Sequence, residues 1–212
     1  KSLQSLGNHF NKNYINCVSN QIHSNLIVFG SHSLEGSKTD ADGLVSNKRN
    51  QNLWIYTADC MPIFFADKGT RNVAALHCGR KGLEKKIIKN LVKIFDNLGT
   101  SRDDLLVAIG PAISKKHYLI DKKTLQEFYR KAENKKITCN LTRTEKDLCS
   151  NGLNHLKEQN FNQLDLKRFA FKQLLNENIP ITNIDISNIC TYELKNEFNS
   201  WRRNKTFSRQ WN

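Results

Sequence analysis

Apolar residues recur in two rhythms along the 212-residue chain. Short apolar runs at Leu26-Ile-Val-Phe29, Leu53-Trp-Ile-Tyr56 and Leu105-Leu-Val-Ala-Ile109 have the length and β-branched content of strands. Between the last two, Met61-Pro-Ile-Phe-Phe-Ala-Asp67 and Thr70-Arg-Asn-Val-Ala-Ala-Leu76 flank Lys68-Gly69. A two-residue loop there predicts a hairpin, with Gly69 available for φ > 0. Pro62 cannot donate to a ladder, which predicts an edge strand or a bulge at its position. A 3.6-residue rhythm then takes over from Leu83 to Leu98, where Ile87, Leu91, Ile94/Phe95 and Leu98 make one stripe and Gly99 supplies the stop. Asp121 can cap a helix over Lys122–Ala132, and another helix fills Leu164–Asn176. Residues 133–160 are polar and carry no clear period, and Pro180 precedes a strand over Ile184–Ile189. The elements interleave without a regular βαβ rhythm. They predict an α+β fold of mixed β-sheets sandwiched between helices, layered α/β/β/α, as a single domain over residues 1–212.

Composition narrows the function classes. Hydrophobic residues make up 38% and charged residues 25%, which is globular rather than disordered. No apolar run reaches bilayer length and Lys1 onward shows no signal-peptide pattern. The chain lacks an initiator Met, which suggests a fragment or processed form. Six cysteines without a C-x-x-C pair are too few for a disulfide scaffold and point to a reducing, cytoplasmic setting. The formal charge is +13, but the basic residues are dispersed; only Trp201-Arg-Arg-Asn-Lys205 with Arg209 and Trp211 mixes them densely with aromatics. That argues against a specific nucleic-acid partner, while a positive field still draws anions such as phosphate. No G-x-G-x-x-G, G-x-S-x-G or G-x-x-x-x-G-K-[ST] signature occurs.

The hairpin brings chemistry together. If Lys68 and Gly69 form its loop, Cys60 lies directly opposite His77, with Cβ atoms about 4.5–5.5 Å apart. A thiolate and an imidazole at that separation can share a zinc ion. A Cys at a strand end can also be a small buried hydrophobe, and a bulge at Pro62 would put the pair on opposite faces. Cys78 and Asp59 each adjoin a member of the pair in a strand and should point the other way, as structural residues. His9, His32, His117 and His155 have no partner at ligand spacing and read as surface or core residues. Asp42, before Gly43, reads as a turn former, although a loop carboxylate there could also act as an acid or base.

Several segments also stand in a telling order: Gln21-Ile-His23, Asp40-Ala-Asp-Gly-Leu-Val45, Thr57-Ala-Asp-Cys60, His77-Cys-Gly79 to Gly82, Ile109-Gly-Pro111, Cys190-Thr-Tyr192 and Ser200-Trp-Arg-Arg203. The ordered set resembles the YfiH-like family, labelled multicopper polyphenol oxidase or laccase-domain proteins and described as purine nucleoside phosphorylases with adenosine deaminase activity. The resemblance runs from about residue 20 to 209. It implies a metal triad of His23, Cys60 and His77, with zinc as the metal and copper as the alternative. It also implies Cys60 at the catalytic centre and adenosine, inosine or methylthioadenosine with phosphate as substrates. Three protein ligands leave a position open, the arrangement of a catalytic zinc site.

The loop from His77 to Gly82 opens into the helix predicted at Leu83, a place for an anion. Relatives usually carry Trp-Arg where this chain has Arg80-Lys81; Lys81 keeps a charge for phosphate without bidentate geometry. Arg202 and Arg203 match the family's C-terminal basic pair, and either a substrate contact or a solvated tail fits them. The family's glycine-rich N-terminal hairpin has no counterpart, so part of the substrate pocket is expected to be missing. Neither a membrane nor a nucleic acid is expected as partner, and the chain is expected as a monomer or homodimer. Three other readings remain open. One is a copper-dependent polyphenol oxidase, for which six scattered histidines and one Met are a poor supply of ligands. Another is a cysteine or metal amidase of peptidoglycan editing, with Cys60 as nucleophile and His77 as base. The third is a nucleic-acid module using the basic tail.

Overall fold

The computed structural model describes residues 5–6, 13–132, 163–205 and 208–212. Among the described residues there are ten strands: β1 Ile15–Val18, β2 Ile27–Phe29, β3 Gly43–Ser46, β4 Gln51–Trp54, β5 Tyr56–Thr57, β6 Met61–Asp67, β7 Val73–Cys78, β8 Leu105–Ile109, β9 Ile184–Ile186 and β10 Gln210–Trp211. The helices whose bounds fall among the described residues are α1 Arg80–Glu84, α2 Ile87–Asn97, α3 Lys122–Ala132, α4 Leu166–Asn176 and α5 Trp201–Asn204. Six strands form one mixed sheet in the order β2-β3-β7-β6-β8-β9. The outermost pairs at each edge are parallel and the inner three antiparallel. Two small sheets, β1 with β4 and β5 with β10, lie beside it. The fold is mixed α+β, as the interleaved rhythms predict. Among the described residues no helix is long and apolar enough to cross a membrane.

One core joins the sheet to the helices. Val45, Ile63, Phe65 and Leu76 of the sheet meet Leu83, Ile88, Leu91 and Phe95, and the cluster extends through Phe128 to Phe169 and Leu174. Burying each large side chain contributes about 1.5–3 kcal/mol, so this cluster sets where the loops at the strand ends can go.

The β6–β7 hairpin departs from expectation. Its register pairs Met61 with Cys78 and Pro62 with His77, two positions away from a Lys68-Gly69 loop. The connection is longer because Asp67 organises it. Gly69 N donates to Asp67 Oδ1 at 2.8 Å, Arg71 N donates to Asp67 O at 2.9 Å, and Arg71 takes the left-handed conformation at φ 61°. Thr100 Oγ1 also donates to the buried Asp67 carboxylate, anchoring the turn to the end of α2. Pro62 is neither on an edge strand nor at a bulge. β6 lies between β7 and β8 with unbroken register on both sides, and pairing to β8 begins only at Ile63. The missing N–H therefore falls where the ladder has barely started.

The helix predicted over Leu83–Leu98 is two helices. Lys86, at φ 59°, breaks the run, and Asn25 Nδ2 donates to Lys85 O at 2.8 Å to satisfy the end of α1. The break lets Leu83, Ile87, Ile88 and Leu91 all reach the core fully buried. Gly99 ends α2 at φ 81° as predicted, and Thr124 N donates to the capping Asp121 at 2.8 Å. α4 starts at Leu166, with Asp165 accepting from Arg168 N at 3.0 Å, and β9 is half the predicted length. Strand β1 was not evident from the pattern. Residues 133–160, Cys139, Cys149, His9 and His155 lie outside the described residues.

Candidate metal centre and substrate cavity

One side-chain amide and one carboxylate assemble the site before any ligand does. Gln21 pairs with the backbone of Tyr56 in both directions, Nε2 donating to Tyr56 O at 2.8 Å and Oε1 accepting from Tyr56 N at 2.9 Å. This places the Gln21-Ile-His23 segment against β5. Asp42 then gathers the residues that follow. Its carboxylate accepts from the backbone N–H of Ile22 (3.2 Å), His23 (3.0 Å) and Ser24 (2.5 Å) and from Ser24 Oγ (2.7 Å). The same carboxylate meets His77 Nδ1 at 2.8 Å. Asp42 is wholly buried, and no turn follows it. Gly43 is the first residue of β3, where an added Cβ would lie 2.6 Å from Leu76 and 2.7 Å from Ile27. The glycine is there for close packing and the aspartate for the imidazole.

His23, Cys60 and His77 converge, each offering one ligand atom within 4.8 Å of the others. Cys60 reaches the group from just outside β6, after Asp59 turns the chain at φ 85°. Its Sγ lies 3.9 Å from His23 Nε2, and the two imidazoles meet edge to face at 4.8 Å. With Nδ1 of His77 engaged by Asp42, Nε2 is left for a thiolate or an ion, the orientation that a carboxylate behind a ligating histidine enforces. Gly79 makes room for the sulfur: a Cβ there would lie 2.5 Å from Cys60 Sγ. A soft thiolate, two imidazoles and a notch shaped around the sulfur fit a zinc-type ion. The pair anticipated from the hairpin does come together, through the bend at Asp59 rather than by direct cross-strand opposition.

Charges follow from these contacts. Burial raises the Cys60 thiol, but the adjacent His77 charge and contacts with both imidazoles outweigh it and hold the pKa at about 6. Burial opposes protonation of His77, yet the Cys60 charge and the Asp42 hydrogen bond lift it to about 9. For Asp42 burial is outweighed by hydrogen bonds from His77 and Ser24, which take it to about 2. Without a metal the site is thus a thiolate–imidazolium pair, and binding an ion releases the imidazolium proton. Thiolate is the alkylating form, so metal-free Cys60 is expected to react with iodoacetamide with a pH midpoint near 6, against about 8.5 for an ordinary thiol. Peptide mapping across pH checks this, and His77→Ala should move the midpoint up. A midpoint near 8.5 in the parent chain would show that the pair does not form. Burial raises the Cys17 thiol to about 11, and burial with the nearby Cys60 and Asp42 charges raises Cys78 well above the ordinary thiol range, so neither competes.

The two neighbours read as structural are buried, and Asp59 also lines the cavity beside the triad. Cys78 is fully buried in the core. Asp59 accepts from Thr191 Oγ1 (2.8 Å), Ser200 Oγ (3.0 Å) and Arg202 N (2.7 Å), pinning the C-terminal segment beside the metal ligands.

A cavity of about 500 Å³ opens next to the triad. Lys81 and Arg202 line it, together with Arg80 and Arg209. Arg203 instead donates to the carbonyls of Thr191, Tyr192 and Phe198 and holds the C-terminal turn. Aromatic walls come from Tyr56, Tyr118 and Trp201. Arg202 lies over the Tyr118 ring at 5.0 Å, and Trp201 is 43% exposed at the cavity. α1 is only five residues long, so anion attraction here rests on cationic side chains rather than on a long helix terminus, with Arg80 already ion-paired to Glu84. Tyr56, Tyr118 and Trp201 were not assigned from sequence, and Asp42 was read only as a turn former or a loop acid or base. For Asp42 the need of a ligating histidine for a carboxylate partner was the available signal.

Comparison with known proteins places the chain. The model of the multi-copper polyphenol oxidoreductase laccase family matches residues 3–212. A purine nucleoside phosphorylase of Synechocystis is 30% identical over 177 residues, 81% of this chain and 66% of that protein. One of Rickettsia prowazekii is 29% identical over 204 residues, 95% of this chain and 76% of that protein. The chain thus spans about two thirds to three quarters of the length of these relatives. In fold it is similar to the YfiH protein of Bacillus licheniformis, with a TM-score of 0.78 at 22% identity over 98% of this chain and 77% of that one. YlmD of Geobacillus stearothermophilus gives 0.75 at 25% identity over 92% and 71%. With its fold, its ordered segments and the near-complete span of the family match in agreement, the chain belongs to the YfiH-like, laccase-domain family.

Proposed function

We propose that this chain is a zinc-dependent purine nucleoside phosphorylase that also deaminates adenosine, taking adenosine, inosine or methylthioadenosine. The observation that carries the reading is a convergent His23, Cys60 and His77 set opening onto a cationic, aromatic-walled cavity. The names of the Synechocystis and Rickettsia relatives support it.

His23, Cys60 and His77 are the residues that would hold the ion, with Asp42 orienting His77. Zinc bound there would supply Lewis-acid polarisation and activation of water. The chain's own groups do the rest. Lys81 and Arg202, with Arg80 beside them, hold phosphate by charge and charge-assisted hydrogen bonds. Tyr56, Tyr118 and Trp201 offer aromatic faces to the purine. In phosphorolysis a phosphate oxygen bonds to ribose C1′ as the C1′–N9 bond breaks, and the base leaves with the bond electrons and takes up a proton. In deamination water adds at C6 and ammonia leaves, which requires no phosphate.

The lowered Cys60 thiol beside His77 also fits a nucleophilic amidase. Chelation separates the two, because a nucleophilic cysteine keeps working without metal. Copper oxidation of polyphenols calls for several histidine-rich copper centres, whereas this site pairs two imidazoles with one thiolate.

Product analysis of the zinc-loaded chain with adenosine, with and without phosphate, tests the reading. Adenine only with phosphate and inosine without it are expected. No purine product from a folded, metal-bound chain overturns the proposal.

A further inference from the structure

We propose that His117, Cys190 and Glu193 form a second zinc site that clips the C-terminal segment to the loop after β8. Their ligand atoms lie within 4.8 Å of one another, although spacing along the chain gave His117 no partner. Imidazole, thiolate and carboxylate together are a zinc donor set; tetrahedral bonding sets such atoms about 3.3–3.7 Å apart, so the group needs only small adjustments, with the 2.8 Å His117–Glu193 pair opening slightly.

The surroundings are built to hold these three residues. An isolated parallel bridge joins Ala112 to Cys190, and Thr191 N donates to Ala112 O at 3.3 Å. Ser114 N donates to Cys190 Sγ at 3.3 Å, a contact that suits a thiolate. His117 N donates back to Ser114 O at 3.1 Å, turning the chain so that an imidazole nitrogen lies within 4.8 Å of the sulfur. Leu194 N donates to Cys190 O at 3.2 Å, so the chain folds back and returns Glu193 to the same side. The His117 ring is stacked on Tyr192, centroids 4.4 Å apart and 14° from parallel, which fixes its plane. His117 Nε2 and Glu193 Oε1 are already 2.8 Å apart, so an ion enters between groups that face each other.

Access is one-sided. Cys190 is 5% exposed, while the Glu193 side chain is 48% exposed and leaves a position for water. The only cation paired with Glu193 among the described contacts is Lys116, at 3.5 Å and with its own side chain 75% exposed, so it can swing into solvent as the ion enters. The clip would have a purpose at a distance: Cys190 to Glu193 precede the segment that carries Trp201 and Arg202 to the cavity, and His117 adjoins Tyr118. This inference does not depend on the reaction performed there.

Metal content after zinc loading and extensive dialysis tests it. The parent chain should retain about two zinc ions, Cys60→Ala about one, Cys190→Ala about one, and the double variant none. Should Cys190→Ala fail to fold, His117→Gln in the Cys60→Ala background serves instead. A second readout is cobalt: Cys60→Ala should still show a thiolate-to-cobalt charge-transfer band, lost on adding His117→Gln or Cys190→Ala. A Cys60→Ala chain that holds no metal, or holds as much with Cys190 or His117 replaced as without, overturns the second site. Loss of one ion through Cys60→Ala reports on the first site alone, so the two proposals fail separately.

Discussion

On the proposed function, Cys60→Ala is expected to lose the ion that His23 and His77 would help hold and to lower the proposed purine turnover by on the order of 10³-fold or more. Two imidazoles alone are a weak zinc site, because the thiolate supplies both the charge and the soft donor. The fold should tolerate the change. Cys60 sits just before the start of β6 and outside the apolar core, and its sulfur fills a notch above Gly79 rather than a cavity between helices. The metal-free variant should therefore unfold within about 1 kcal/mol of the metal-free parent. Zinc content, steady-state turnover and denaturant unfolding on one preparation check all three statements. Turnover that survives with the metal gone would remove Cys60 and its ion from the mechanism.

The second large effect is expected at Asp42. Asn keeps the shape but presents an amide to a pocket of donors. At least one of the N–H groups of Ile22, His23 and Ser24, or His77 Nδ1, then loses its acceptor. Leaving such a buried group unsatisfied, with the loss of a buried charge partner, costs about 3–5 kcal/mol. Metal affinity should fall about 10- to 100-fold because His77 is no longer oriented.

The pH dependence has a definite sign. The Asp42 carboxyl titrates at about 2 when folded, against 3.8 ordinarily. Ionised Asp42 therefore contributes about 2 kcal/mol that is fully present above about pH 4 and lost as pH falls through about 2. Asp42→Asn lacks that contribution, so the gap between parent and variant should narrow over the same range. Unfolding midpoints measured from pH 6 down to pH 2 check it. A gap that stays constant through that window would mean Asp42 is not the charged anchor described here.

Much of the protein was legible along the chain. The apolar run at Leu105–Ile109 is β8 and the period over Lys122–Ala132 is α3, each with its predicted bounds. These elements are local: a strand or helix follows from the spacing of its apolar residues, and Asp121 and Gly99 act on their own neighbours. The order of the short segments likewise singled out His23, Cys60 and His77, whose side-chain chemistry does not depend on the fold.

Tertiary contacts decided the rest, wherever a partner distant in sequence outweighed a local preference. The hairpin gained a longer loop because Asp67 is also held by Thr100. The long helix broke at Lys86, where Asn25, sixty residues earlier, closes α1 through Lys85. Asp42 left its turn for His77, thirty-five residues away. His117 met Cys190 and Glu193 through a bridge between Ala112 and Cys190. Apolar period records only which face of an element is buried. Which polar groups meet at the ends of those elements depends on how the faces pack, and both clusters of potential ligands are made there.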